Sequence, residues 1–597
     1  MRLPPLLTHL LTFITLLLSQ DLVGQRLWGQ GALVPLNLYD IIVVGSEPEG
    51  ISAAVAAAES GSRTLLITSD ARLGGLFVLG ELNVLDLRTQ PLLYQQGFFL
   101  RWWRRVGQQP SFDVRRAEQV FEAMLAEAGV DIIRNAGDLT PYMPTEDIVS
   151  GVLQNDTLHL ARQVIDATAD MNFAADAGAG FSVGFSSIGH DARMVDTLVF
   201  RVANVNWARL EQGVKELGRN YANIKGNVAW GSFGGYPAAY NPSELGIKLR
   251  GLNLGHQDDG TVLVNALLLF DLDPFDPVSL DSGRERGAQE AARIVSYLAD
   301  GIPGFEAARL QGTAERLYIR ETRHLEAHCT LTIDDVIDNR VTSFDIAAGG
   351  YPLDVQPLTP FDSGFVFGVP EVYGVQLCVS VPRDVTNLWV VGKTAGYDPL
   401  AAASARVVPF GMAVAEAVGI AAAEAVHLNV SSHFIVTTPE TIATVREILL
   451  QRGAFLPQVK TRNPVGPIDH PNYPDYRVLL SRGLAVGGYD NDPRLDEPVS
   501  ARSYLYLLSN VGRRFHQNRQ LGPNLIENFG HTEGPLSSEA ALEITSWAAC
   551  ALGTCVEATS WQALRDLALA PPRFSGRDSF TRGDMYSLAS RLAHLTP

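Results

Sequence analysis

The chain has 597 residues, 46% of them apolar, enough to bury the cores of several domains. Its 47 Lys and Arg against 65 Asp and Glu leave a net charge of −18. With no basic stripe interleaved with aromatics, that balance excludes a nucleic-acid partner.

Met-Arg-Leu-Pro-Pro leads into an apolar run from Leu6 to Leu18, broken by Thr8, His9, Thr12 and Thr15. One positive residue before a short apolar core predicts a secretory signal peptide over 1–24, with cleavage near Ser19–Gln25; an uncleaved membrane anchor is the alternative. Only Arg2 precedes the run, so there is no twin-arginine signal, and an exported chain would take up any nucleotide after export. The expected location is extracytoplasmic, secreted or at the cell envelope. Ala413–Val426, the most apolar later stretch, is short for a membrane span and carries Glu416 and Glu424.

Asp40-Ile41-Ile42-Val43-Val44 reads as a buried strand, Gly45-Ser46-Glu47-Pro48-Glu49-Gly50 as a turn and Ile51–Ser60 as an Ala-rich helix. Thr64-Leu65-Leu66-Ile67 is the next strand. This order opens a dinucleotide-binding βαβ unit, in which a tight turn sets a diphosphate against a helix N-terminus. The second glycine of the G-x-G-x-x-G fingerprint, where the backbone approaches the pyrophosphate, is replaced by Glu47. At the end of the second strand the ribose-binding acid is replaced by Thr68, with Asp70 two positions on.

Leu73-Gly74-Gly75-Leu76 follows, then a helix over Ala117–Gly129 and strands at Val130–Ile133 and His159–Thr168. Parallel-type strands separated by helices predict a doubly wound α/β sheet. From about Asp191 the texture turns β-rich, with strands at Thr197–Val202 and Thr261–Phe270 and a helix at Arg284–Ala299. Asn387–Lys393 returns to a strand leading into a Gly turn, and Arg406–Val426 to a long Ala/Gly-rich helix. A helix at Glu440–Gln451 and a Pro-rich linker at Asn463–Pro474 precede a last part with its own turns and helices.

The expected division is 38–190 and 341–430 as the two parts of a nucleotide-binding domain, 191–340 as an inserted β-rich α+β domain, 431–474 as helix and linker, and 475–597 as a small, mainly helical domain. Cys329, Cys378, Cys550 and Cys555 are too few and too scattered for a disulfide scaffold or a zinc site. Cys550-Ala-Leu-Gly-Thr-Cys555 admits either a local disulfide or two thiols. His190, His324 and His328 read as structural residues, so no catalytic acid or base is nominated, and no metal ligands are expected.

Val43–Ala54, Leu73-Gly74-Gly75, Val164–Asp170, Arg320–Val336, Ala348–Asp354 and Asn387–Ala423 together resemble the FAD-dependent oxidoreductases with the glutathione-reductase type of FAD fold. The likeness is to the branch of the heterodisulfide-reductase flavin subunit. It runs from about Leu38 to Asn429 and implies an FAD-dependent oxidoreductase acting on a small-molecule substrate or electron acceptor. It implies a cofactor site at Gly45, Ser46, Glu47, Gly50, Thr68, Asp70, Gly74, Gly75, Thr168, Gly392, Lys393, Arg406 and Gly411. Ala167-Thr168-Ala169-Asp170 would end a strand beside the FAD, with Ala169 in place of a glycine. Gly392-Lys393 stands where the family has Gly-Arg. Ala403–Met412 would start a helix facing the isoalloxazine. Some relatives bind iron–sulfur clusters through closely spaced cysteines, a pattern this sequence lacks. The changes at Glu47, Thr68, Ala169 and Lys393 leave a second reading, a flavin-free surface-binding or structural protein on the same fold.

Leu479–Ser500, with Gly488-Tyr489-Asp490, resembles an S-layer homology repeat, and Arg573–Leu592 resembles the second half of another copy. Ser500-Ala501-Arg502-Ser503 stands in place of the family's Thr-Arg-Ala-Glu. The resemblance implies a cell-wall polymer as partner.

Overall fold

A computed structural model describes residues 36–85, 87, 92–532, 534–555, 560–574 and 579–595. The signal peptide expected at 1–24 lies outside the described residues.

The first strand, Leu36–Val44, is buried on both faces from Ile41 to Val44, as its run of β-branched residues requires of a central parallel strand. It pairs in parallel with Thr64–Ile67 on one side and Thr157–Asp166 on the other, and Thr64–Ile67 pairs in parallel with Asp131–Ile133. Leu388–Val390 adds in parallel to Thr157–Asp166, while Gly151–Gln154 and Leu139–Tyr142 complete the seven-stranded sheet antiparallel. The register places Val44 opposite both Ile67 and Asp166, and Asp166 opposite Val390. The four parallel strands that end at Val44, Ile67, Asp166 and Val390 thus end level, as does the fifth, at Ile133 beside Ile67, and the turns that follow them share one edge, where open α/β sheets bind ligands.

Helix Pro48–Glu59 leaves the first strand with Pro at its start, where a missing N–H costs nothing. It packs along Val408–Leu428 so closely that a Cβ on Gly419 would lie 2.3 Å from the Ala53 carbonyl oxygen. Ser52 Oγ donates across this contact to Met412 O at 2.7 Å. The sequence predicts one helix from Arg406. The chain instead forms Pro399–Ala405, breaks at Arg406 and Val407, and restarts at Val408, where Pro409 fits a first helical turn. Val408–Leu428 has the length and hydropathy of a membrane span, yet 89% of its most apolar window is buried in this core. Glu416 on it is tied down by the Phe98 N–H at 2.9 Å.

The β-rich part is a second, antiparallel sheet, with Val262–Leu269 and Asp196–Ala203 at its centre. Helix Pro277–Gly301 packs on it through Gly287, where a Cβ would lie 2.7 Å from Leu198. Cys329 and Cys378 form a disulfide, a pairing that nothing in their 49-residue spacing announces. Cys550 and Cys555 are paired as well, the first of the two alternatives above.

The C-terminal helices follow an internal threefold order that the sequence shows only in part. Val499 N–H donates to Phe580 O, Phe580 N–H to Leu536 O, and Leu536 N–H to Val499 O, at 3.2, 2.9 and 2.8 Å. The next residue in each case, Ser500, Thr581 or Ser537, caps a helix through its side-chain oxygen. Among the described residues three capped helices thus follow this ring where the sequence pointed to two units, and the one it missed follows Pro535-Leu536-Ser537. This part docks through Asn491, which exchanges hydrogen bonds with both the N–H and the carbonyl of Val369.

Candidate functional site

A cleft of about 510 Å³ opens along the level strand ends. Its floor is made of the turns after four of the five parallel strands. Gly45, Ser46 and Glu47 follow the first, Thr68 and Asp70 the second, Thr168 and Asp170 the third, and Gly392 and Lys393 the fourth. Arg406, Val408, residues of the segment 315–320 and the start of helix Pro277–Gly301 line the rest of it. Of the residues expected from sequence, Gly50, Gly74, Gly75 and Gly411 do not line it. They let the walls approach instead.

Gly45 shows why the turn needs glycine. Its φ is +103°, and a Cβ there would meet Ala167 O at 2.4 Å. Gly50 lets the helix start sit on Ala167, whose Cβ would lie 2.6 Å from an added one.

Glu47 is the N-cap of Pro48–Glu59 but makes no capping bond to that helix. Its carboxylate reaches across the turn, where Oε2 accepts from Leu76 N–H at 2.8 Å and Oε1 accepts from Arg316 Nη1 at 2.9 Å. A Cβ on Gly75 would lie 2.1 Å from Oε2, so this glycine makes the room for the carboxylate. Arg316 also donates to Asp70, whose other oxygen accepts from Ser46 Oγ at 3.1 Å and Thr68 Oγ1 at 3.3 Å. Burial pushes the Glu47 carboxyl above its ordinary pKa, against the pull of Arg316 and the Leu76 N–H.

Glu49, in the first turn of the helix, points at the start of Val408–Leu428, where a Cβ on Gly411 would lie 2.5 Å from its Oε1. Burial, followed by the Glu47 charge, raises its pKa to about 8. Two carboxyls therefore stand where a glycine-rich turn and a helix N-terminus converge, a place whose N–H groups and dipole suit an anion.

Asp166 accepts from Thr168 N–H, Thr168 Oγ1 and Ala174 N–H at 2.7–2.8 Å, which fixes the third turn. Lys393 Nζ lies 2.9 Å from Asp170 Oδ1. Arg406 donates to Tyr318 Oη at 2.7 Å and to Asp354 O at 3.2 Å. None of His190, His324 and His328 lines the cleft. His324 is buried against Glu321 at 3.0 Å, and His328 packs edge-on against His433.

Sequence reasoning missed Glu49 as a cleft residue, and missed Arg316 and Tyr318 altogether. Arg316 belongs to no motif and arrives from the second sheet, so only the fold brings it to Glu47. Glu49 is visible in the fingerprint as an acid in the first helical turn, beside the Glu47 already singled out.

The donor chemistry suits a dinucleotide's diphosphate: the tight turn at Gly45, the first turns of two helices, Arg316 and Lys393. Of these, Arg316 is held by Glu47 and Asp70 and Lys393 by Asp170, and Glu47 also holds the nearby Leu76 N–H. The family model described as FAD dependent oxidoreductase matches residues 40–449. No curated protein matches the sequence significantly. Among solved structures, a geranylgeranyl bacteriochlorophyll reductase-like protein from Thermoplasma acidophilum is 15% identical, with 70% of this chain and 85% of that one covered and a TM-score of 0.34. The p-nitrophenol 4-monooxygenase of Pseudomonas putida is 11% identical, with 70% and 87% covered and a TM-score of 0.36. The myxobacterial chondrochloren halogenase is 13% identical, with 82% and 97% covered and a TM-score of 0.36. These superpositions are too loose to bear on function.

Proposed function

The chain belongs to the FAD-dependent oxidoreductase family, whose cofactor is FAD, and from that premise we propose that the cleft along the four level strand ends is its FAD site in an exported oxidoreductase. The observation that carries this is the register that sets Val44, Ile67, Asp166 and Val390 side by side, with Gly45 held at positive φ in the first turn. When bound, FAD supplies the capacity to take up or give electrons, and the protein positions and tunes it.

The Gly45–Glu47 turn and the first turn of Pro48–Glu59 are the diphosphate seat, with Arg316 and Lys393 as its counter-charges. Thr68 and Asp70 face the ribose end. The start of Val408–Leu428 and Arg406 stand at the reacting end, where a helix N-terminus favours negative charge. In this reading Glu47 leaves Leu76 N–H and Arg316 to the diphosphate and turns to solvent.

Export is supported by the N-terminal pattern and by two disulfides, which persist in oxidising compartments. The threefold C-terminal part would then hold the enzyme at the envelope through a cell-wall polymer.

The test is to purify the chain and titrate it with FAD. Flavin absorbance approaching one equivalent, on isolation or after reconstitution, supports the reading. A colourless protein that takes up no added FAD overturns it.

A further inference from the structure

Carboxyls gather in the cleft around Glu47, whereas two arginines, Arg320 and Arg406, meet at Tyr318. Arg320 lines the cleft there and is 2% exposed. Through Nη1 it donates to Val195 O at 2.8 Å and Thr197 Oγ1 at 2.7 Å, and its guanidinium lies 4.2 Å from the centre of the Tyr318 ring. Its Nη2 has no partner among the described residues.

Arg250, which donates to Gln356 Oε1, and Arg406, which donates to the Tyr318 hydroxyl, press their charges on the same guanidinium. Arg250 Nε is also buried without a partner. Asp196, the carboxylate that faces Arg320, is already held by Arg193 through bonds of 2.7 and 2.5 Å, and Asp354 accepts from Gln356 Nε2 at 2.7 Å. Neither Arg250 nor Arg320 forms an ion pair among the described residues. A desolvated cationic N–H without an acceptor is costly, and a bound ligand that supplies the acceptor removes that cost.

We propose that the part of the cleft at Arg320, with Arg250 and Arg406 around it, binds the carboxylate of an acidic small-molecule substrate. A guanidinium presents a planar fork that matches a carboxylate with two parallel bonds. Tyr318 stacks on that fork and orients it. The proposal rests on the reading of this cleft as the FAD site, since the arginines then stand at the reacting end. It adds the substrate class: organic acids over their neutral analogues.

The test is calorimetric titration of the full chain, with and without FAD, using acetate, succinate and benzoate, each against its amide. At least one acid is expected to bind tenfold or more tightly than its amide. That preference is expected to fall in Arg320→Gln and in Arg250→Gln, and to be partly kept in Arg320→Lys. Acids no tighter than amides throughout would overturn the proposal, as would a preference undiminished in both glutamine variants. Arg250 is less buried than Arg320, so its variant keeps the test open if Arg320→Gln does not fold. Because the acid–amide difference is read on either form of the protein, a chain that takes no FAD sinks the cofactor reading without deciding this one.

Discussion

Glu47 and Arg316 meet at 2.9 Å, one from the turn after the first strand and the other from the bend that follows Arg309–Thr313, the edge strand of the second sheet. The pair links the two sheets at the point where a diphosphate would sit, and Arg316 extends it to Asp70. The contact bears on stability and, in the proposed function, on the seat for the cofactor.

Arg316→Gln should leave the mostly buried Glu47 with only the Leu76 N–H. Arg316 is 37% exposed, so solvent screens part of the interaction, and the expected loss is about 1–2 kcal/mol near neutral pH. Denaturant unfolding of wild type, both single variants with Glu47→Gln, and the double variant would measure the coupling. A coupling indistinguishable from zero would mean the pair contributes nothing to stability.

Glu49 sets a pH dependence whose sign follows from its raised pKa. Its carboxyl stays protonated in the folded chain up to about pH 8, but in the unfolded chain only up to about 4.5. Folding therefore takes up a proton between these values, and stability falls as pH rises through that window, by at most about 1.4 kcal/mol per unit from this group. Glu49→Gln should flatten the curve and gain on wild type most at pH 8 and above. Asp166 and Asp398, both raised to about 6, and Glu416, raised to about 7, slope the same way in both proteins and cancel in the comparison. Parallel curves for the two proteins would contradict the assignment.

Gly45→Ala should be among the most damaging small substitutions in the chain. It combines a left-handed backbone at +103° with a Cβ 2.4 Å from the Ala167 carbonyl, and both must be relieved by moving the turn. A loss of about 2 kcal/mol or more in thermal or denaturant unfolding is expected, together with weakened FAD binding.

Reduction of the Cys329–Cys378 disulfide, or its replacement by a Ser pair, should cost about 4 kcal/mol, from the entropy regained by a loop of 49 residues. Unfolding with and without reductant checks this. An unchanged midpoint would show that the crosslink does not constrain the unfolded chain.

How far the sequence led is visible in these same residues. The strand and turn at Asp40–Gly50 were readable because a buried parallel strand is a continuous β-branched run and a tight turn demands glycine. The residues expected at the cofactor site came from the family resemblance, and those of them on the turns line the cleft because each stands within a few residues of a strand end. Arg316, Tyr318 and the Cys329–Cys378 bond could not, because each depends on how a distant segment packs, which no local period records. Arg406 was expected at the start of the long helix and lies instead at the break before it, where Pro409 forces the chain to restart. The C-terminal threefold was half legible: Ser500 and Thr581 fall in stretches that the sequence singles out, whereas Ser537, which caps its helix in the same way, does not.

The measurement that bears most directly on this account is the FAD dissociation constant of wild type and of Glu47→Gly, taken side by side by fluorescence or absorbance titration. Removing the carboxylate frees the Leu76 N–H and Arg316 and takes a like charge from the diphosphate seat. Glu47→Gly is expected to bind FAD about tenfold or more tightly, a gain of about 1.4 kcal/mol. Weaker binding in the variant, or no binding by either protein, would contradict the claim that Glu47 stands in the diphosphate seat of a functioning FAD site.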